Sequence, residues 1–442
     1  MEITKKTIIR NIYWSLIGKV VNLLAALLVG IFVARYLGPK QYGLMNYVVS
    51  FVSLFLILAT FGFDNIEIRE EAKNTEEKDC IIGTTFLIRL ILSIITITII
   101  SVAAYINETD CYTFILILVY SISVLITPFN VIRNHFTALV QNEYIVKVGI
   151  FSTLISCAIK VILLFHHASL IWFVISLVFD TFVLALGYCY TYNKKIGKIR
   201  NWKFQTKWAK LMLKQSFPLL LSGAAAMIFL QIDQVMIGNM IDKPTVGYFS
   251  VASKFVEVSI YLPTIIIQTI SPVLIRIKKE NFTKYKEKAQ YYMDIITWAS
   301  FFTSIIICCI SYNLVDFTFG DAYLPAVIPL QILSFKLIGV SLNIVSGQIL
   351  IIDEKQKYFV IRSLCGCIVC VLFNYLCIPH YGISGVALVA IATQFAAGYI
   401  IHAFIPSYRY VFKMQTKTLL YGWKSSVLFI SSLIKKYGHH IH

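Results

Sequence analysis

The sequence predicts an all-α integral membrane protein: twelve transmembrane helices arranged as two six-helix bundles, related by a parallel pseudo-twofold repeat. Three observations lead there. The composition is too apolar for a soluble globule, the apolar runs are long enough to cross a bilayer, and the loops between them alternate in charge.

Of the 442 residues, 58% are hydrophobic and 14% charged, and the mean hydropathy is +0.76. Soluble domains carry about 25% charged residues, so a soluble chain of this length would lack the polar surface to stay dissolved. The formal net charge of +17 would point to nucleic acid in a soluble protein. In a membrane protein it follows from Lys and Arg collecting in cytoplasmic loops, and no nucleic-acid partner is expected.

A membrane helix needs roughly 20 mostly apolar residues. Such runs fall at 12–36, 44–63, 81–105, 113–133, 146–166, 169–192, 216–240, 246–274, 291–311, 325–351, 358–378 and 383–405. The first lacks a small-residue cleavage site and is too long for the core of a signal peptide, so it reads as a retained span. Pro128, Pro218, Pro263 and Pro329 lie inside runs and predict kinks, which neighbouring helices tolerate by re-satisfying the backbone.

One alternate set of loops is basic. It comprises Lys5, Lys6 and Arg10, the stretch from Lys194 to Lys214, the stretch from Arg276 to Lys288, and a tail with Arg409, Lys413, Lys417, Lys424, Lys435 and Lys436. The opposite set holds Lys40 and Lys243, and only carboxylates near Glu108, Asp110, Asp316 and Asp321. The excess of Lys and Arg places both termini in the cytoplasm, which requires an even number of spans.

The longest basic loop divides the chain into an N-terminal six-helix bundle at 1–192, a basic cytoplasmic linker at 193–215, a C-terminal six-helix bundle at 216–405 and a basic cytoplasmic tail at 406–442. The halves echo each other. The first span leaves through GPKQYGLM (Gly38 to Met45) and the seventh through IDKPTVGYF (Ile241 to Phe249). Six spans per half give both halves one orientation, so the repeat axis lies along the membrane normal. Residues 419–433 form a shorter apolar run interrupted by Lys424 and read as an interfacial helix.

Ionisable groups inside spans are costly and usually face a cavity or a partner. The basic ones here are Lys19, Arg89, Lys160 and Lys336, and the acidic ones Asp180, Asp233 and Glu257. Lys19 and Lys160 lie close enough to span ends to snorkel, while Arg89, Asp180 and Lys336 are deeper. Several cations in an apolar bundle suit an anionic ligand such as phosphate or diphosphate, which Lys and Arg both bind well. Asp233, in the polar patch Gln231 to Gln234, and Glu257 read either as structural carboxylates paired to a base or as sites for a coupling proton or cation, while Asp180 reads as facing the interior.

Catalytic signatures are missing. There is no P-loop, no loop large enough for a soluble active site, and no cofactor motif, so the chain reads as a non-enzyme without cofactor. The run CGCIVC (Cys365 to Cys370) has no His or carboxylate beside it and reads as small packing residues rather than a zinc site. His166 and His167 read as interfacial polar residues, and the terminal GHHIH as a tail end; no metal is expected.

Several segments together resemble a known family, the Wzx-type oligosaccharide flippases of the MATE-like, or MOP, exporter superfamily. They are NIYW (Asn11 to Trp14), RYLGPKQYG (Arg35 to Gly43), FGF (Phe61 to Phe63) followed by Arg69, DQVMIG (Asp233 to Gly238) with VGYFSVASK (Val246 to Lys254), and YGISGVALVAIAT (Tyr381 to Thr393). The resemblance spans almost the whole chain and rests on the order and spacing of these segments. It implies a MATE-like fold that alternates between inward and outward openings. It implies an undecaprenyl-diphosphate-linked oligosaccharide, an O-antigen or related surface-polysaccharide unit, as cargo, carried to the outer leaflet of a bacterial plasma (inner) membrane. It also implies coupling to an H+ or Na+ gradient, with Asp180, Asp233 and Glu257 as candidates, and a polysaccharide polymerase and chain-length machinery as partners. A cation-coupled multidrug or metabolite antiporter on the same fold is one rival. A membrane glycan polymerase is another, though it would want a large outer loop.

Overall fold

The computed structural model describes residues 5–108, 110–355 and 358–438, and all regular structure among them is helical. The terminal histidines 439, 440 and 442 lie outside the described residues. The chain divides into two compact units, Met1–Val235 and Met236–His442. The first contains α1 (Lys5–Thr60), α2 (Asp64–Lys73), α3 (Lys78–Asn107), α4 (Cys111–Ser121), α5 (Asn130–Ala138), α6 (Asn142–Phe165), α7 (Leu170–Lys195) and most of α8 (Thr206–Met240). The second contains α9 (Lys243–Glu280), α10 (Phe282–Phe319), α11 (Val327–Ser334), α12 (Lys336–Ile352), α13 (Phe359–Phe395), α14 (Ile401–Phe404) and α15 (Arg409–Gly438).

Among the described residues, nine helical stretches are long and apolar enough to cross a membrane, or ten if Asp321–Ser334 and Lys336–Ile352, bent by 41°, form one span. This is a multi-pass membrane protein. Its helices face outward with their largest aliphatic side chains. In α3 from Arg89 onward the buried positions are Arg89, Ser93, Thr96, Ile100 and Ala104, whereas Ile91, Ile94, Ile95, Ile99 and Val102 are exposed. A water-soluble helix does the reverse. In lipid, hydrocarbon costs nothing on the outside, and small or polar residues earn their place between helices by close approach and hydrogen bonding.

The sharp breaks fall at glycines rather than at the four expected prolines. A straight helix of 56 residues would run about 84 Å, and α1 is broken at Gly38 (φ 68, ψ 172). Gly38 adopts this left-handed backbone without a Cβ penalty, and Pro39 disfavours a helical conformation in the residue before it. α13 is broken likewise at Gly382 (φ 53, ψ −138). By contrast, Pro218 and Pro263 sit inside continuous helices, and Pro128 lies in a 3₁₀ segment, Ile122–Phe129. Pro329 lies in α11, and the bend follows at Phe335, between α11 and α12. The backbone carbonyl of Ser334 beside that bend accepts a hydrogen bond from Ser304 Oγ of α10 at 2.7 Å, so it is not left bare in the apolar layer.

The seventh run, expected to open the second half, belongs to the first unit as far as Val235. Packing explains it: Leu219 lies against Gly62, Ile57 against Gly223, and Ser50 Oγ donates to Gln234 Oε1 at 2.9 Å. The basic linker is docked too. Lys203 N donates to the Asp79 carbonyl at 3.1 Å, Gln205 N to Thr84 Oγ1 at 2.9 Å, and Trp208 Nε1 to Glu77 at 2.7 Å.

The tail, expected to hold an interfacial helix over 419–433, forms the single helix α15, which packs along α10. Its buried positions Val411, Gln415, Thr418 and Gly422 repeat at helical spacing. Gln290 and Trp298 of α10 donate to Met414 and Thr418 carbonyls at 3.2 and 2.9 Å.

α1 ends in a reversal at Phe61 (φ 51) and Gly62 (φ 70). A Cβ on Gly62 would stand 3.1 Å from Leu219 Cβ and 3.3 Å from the Leu219 carbonyl carbon, whereas one on Gly38 would meet nothing within 4 Å. Both alanine substitutions carry the left-handed backbone penalty of about 1–2 kcal/mol, and Gly62→Ala adds a clash with backbone. Thermal unfolding in detergent should therefore rank Gly62→Ala below Gly38→Ala, and both below the parent; the opposite order would refute the packing described for this turn.

Candidate functional site

The reversal at Phe61–Gly62 delivers α2, DNIEIREEAK, whose carboxylates at 64, 67 and 71 recur at helical spacing on one face. That face turns inward. Glu67 is 0% exposed and Arg89, reaching it from α3, 1% exposed. Arg89 Nη2 lies 2.8 Å from Asp64 Oδ1 and 3.0 Å from Glu67 Oε2. Asn134 Nδ2 of α5 donates to the same two oxygens at 2.8 and 2.7 Å, and Arg133 approaches Asp64 at 3.5 Å. Beside them His135 Nδ1 lies 2.5 Å from Glu71 Oε2. Arg89, read from the sequence as a cation facing an open cavity, is thus held between two carboxylates.

A second charged pair links α6 to α7. Lys160 Nζ lies 2.6 Å from Asp180 Oδ2 and donates to Ser156 Oγ at 2.7 Å. Lys160 does not reach for a span end as snorkelling would require; its charge is met sideways. Asp233 is buried in α8 within the polar patch Gln231–Gln234. Lys19 is exposed on α1.

The second unit places Lys336 at the first residue of α12, immediately after the bend at Phe335. Glu257 of α9 is solvent-accessible and lies within electrostatic reach of Lys336 and Lys254. Among the described residues Lys336 makes no ion pair within 4.0 Å. The bend keeps its backbone bonded, Phe335 N donating to the Ile332 carbonyl at 3.1 Å and Ile338 N to the Phe335 carbonyl at 3.2 Å. Lys336 and Glu257 are therefore brought to one neighbourhood, as are Lys160 and Asp180. Arg89 is held by carboxylates from outside the predicted set.

Sequence reading missed Asp64, Glu67, Glu71, Asn134 and His135, because they fall where the second and fourth runs end and were assigned to no span. The available signal was the spacing of the carboxylates at 64, 67 and 71, which puts them on one face of a short helix just past an apolar run. It also missed Arg362, which is buried with neutral partners: its Nε donates to the Ala397 carbonyl at 3.3 Å and its Nη2 to Asn343 Oδ1. Ala397 lies in a π-helical turn, Ala396–Ile400, where widened spacing frees carbonyls for such a donor.

Removing one partner of a buried ion pair leaves an uncompensated charge and costs roughly 3–5 kcal/mol. Arg89→Gln should therefore lower thermal stability severely, while Glu67→Gln, which can still receive the Asn134 amide, should cost less. Fluorescence-monitored unfolding in detergent checks the order, and an Arg89→Gln protein as stable as the parent would show that the cluster does not bear on folding.

Comparison with known proteins was made against this geometry. The family described as polysaccharide biosynthesis protein matches residues 8–278. The capsular polysaccharide biosynthesis protein CapF of Staphylococcus aureus is 25% identical over 419 residues, 92% of this chain and 99% of the relative. An inward-facing multidrug resistance MATE family transporter of the MOP superfamily superposes with a TM-score of 0.68 at 16% identity, covering 90% of this chain and 96% of its own. The lipid II flippase MurJ, inward closed, gives 0.67 at 16% identity, covering 97% and 99%. At such identities the two structures bear on the fold alone, and the fold is MATE-like.

Proposed function

Since the chain belongs to the polysaccharide biosynthesis protein family, we propose that it is a flippase. Its cargo is an undecaprenyl-diphosphate-linked oligosaccharide, moved from the cytoplasmic to the outer leaflet of a bacterial plasma membrane by alternating access. Likeness to a lipid II flippase over nearly the whole chain supports this reading. Dividing α1 and α13 at Gly38 and Gly382 brings the ten apolar stretches to twelve. Twelve is a count that allows two six-helix bundles with both termini in the cytoplasm.

The observation that carries the cargo assignment is the placement of Lys336. It is a cation inside an apolar unit, at a bent span and a helix start, with no carboxylate in ion-pair contact among the described residues. A broken span with a helix N-terminus is a recurrent way to hold an anion at membrane depth. Lys336 is the proposed first contact for the diphosphate; Lys19, exposed on α1, is a separate candidate cation of the first unit. Arg89 and Lys160 already have carboxylate partners, so either would take up the diphosphate only by exchanging that partner.

That exchange supplies a coupling device. Neutralising Asp180 by H+ or Na+ would release Lys160 toward an anion, and neutralising Glu257 would strengthen the field of Lys336. Asp233, buried in its polar patch, is the third coupling candidate. The polymerase and chain-length machinery would receive the cargo on the outer side.

A cation-coupled multidrug antiporter is the second reading, and the carboxylates Asp64, Glu67 and Glu71 on one face of α2 favour it. They are, however, buried or paired with Arg89 and His135.

A charge-assisted contact to phosphate contributes about 1.5–3 kcal/mol, a factor of roughly ten or more. Lys336→Glu should cut surface glycan at least about tenfold in cells while inserting normally, and Lys336→Arg should retain most of it. Unchanged glycan in Lys336→Glu would remove Lys336 from the cargo site.

A further inference from the structure

A cavity of about 630 Å³ lies on the flank of the second unit, between the basic end of α10 and the tail helix α15. Lys286, Lys417 and Lys424 line it, together with Glu287, Asp294 and Tyr421. Lys417 and Lys424 stand two turns apart on α15, so they present two ammonium groups along one wall. Among the described residues none of the three lysines has a carboxylate within 4.0 Å. Asp294 cannot serve them freely, because its oxygens are taken by Gln290 at 2.7 Å, Thr418 at 2.6 Å and Ser425 at 2.8 Å. The cavity walls are therefore built: the hydrogen bonds that hold α15 to α10 also fix the spacing of the lysines. Beyond the cavity, Leu420, Trp423 and Val427 are exposed on α15, an apolar surface beside a cationic pocket.

We propose that this cavity binds the headgroup phosphate of an anionic membrane phospholipid, with the acyl chains lying on the exposed apolar side of α15. Basic pockets between membrane helices bind such headgroups. The charge balance selects the ligand. Three ammonium groups against two carboxylates leave one net positive charge, which matches a phosphodiester and falls short of a diphosphate. The site belongs to α10 and α15 alone and does not depend on the transport reading. Its occupant would pin the tail helix to the bundle.

The test is equilibrium binding and thermal unfolding of the purified full-length protein in detergent. The added probes are short-chain phosphatidylglycerol, phosphatidylcholine or a short polyprenyl diphosphate. Phosphatidylglycerol should bind and raise the unfolding midpoint, phosphatidylcholine should not, and Lys417→Gln/Lys424→Gln should weaken phosphatidylglycerol about tenfold or more. Lys413→Gln, which removes a charge from the same helix outside the cavity, should leave binding unchanged, and Lys286→Gln gives an independent reading from α10. Equal response to both phospholipids, equal weakening by Lys413→Gln, or a response only to the diphosphate would each overturn the proposal. Because the readout is binding and not transport, its failure is separate from a failure of the flippase reading.

Discussion

A guanidinium or carboxylate in a hydrocarbon layer has no water to fall back on, and every other feature of this molecule accommodates that fact. The first unit meets it with opposite charge: Arg89 between Asp64 and Glu67, Lys160 against Asp180. The second meets it partly with neutral groups, as where Arg362 takes carbonyl and amide oxygens near a π-helical turn. Lone pairs must be answered as strictly as charges, which is why the carbonyl at the bend before Phe335 has a serine from α10 aimed at it. Against this background, an in-span cation with no carboxylate in ion-pair contact among the described residues, only Glu257 within electrostatic reach, is costly to keep, and that cost is the physical reason for reading Lys336 as functional.

The same constraint shapes where the chain bends. Breaking a helix in lipid exposes backbone groups; two of the breaks sit at glycines whose backbone no other residue adopts cheaply, and the one at Phe335 has a serine of α10 on its carbonyl. Gly38 and Gly382 turn two very long helices into joined pairs. At the basic end of the second unit, Asp353 does comparable work through its side chain: Lys278 lies 2.7 Å away, Tyr285 donates at 3.2 Å and Tyr410 at 2.5 Å. One carboxylate thereby ties α9, α10 and α15 to the end of α12.

Much of this was legible in the sequence. The apolar runs foretold a helical protein of many spans, because in lipid a span announces itself by length and composition; among the described residues nine or ten helical stretches qualify, against the twelve runs expected. The motif RYLGPKQYG marked the break at Gly38, whereas the pairing of Lys160 with Asp180 was not foreseen, because the two stand on different runs and nothing local joins them. What was not legible depended on three dimensions. Nothing local says that α2 folds back under α3, so Arg89 looked available when it was already clasped. The tail helix looked too polar to lie along the bundle, because its polar residues, Gln415 and Thr418 among them, are answered by partners far away in sequence. Helical backbone angles are abandoned inside α1 and α13 at the left-handed glycines Gly38 and Gly382.

The central claim is that this chain carries an anionic lipid-linked oligosaccharide across a bilayer. Its most direct measurement places purified protein in sealed liposomes containing a labelled undecaprenyl-diphosphate oligosaccharide. The label reaching the outer surface is then followed with and without an imposed H+ or Na+ gradient. The account predicts protein-dependent crossing that rises with one of the gradients. Crossing no faster than in empty liposomes, from protein that is folded and extrudes cationic dyes, would contradict it.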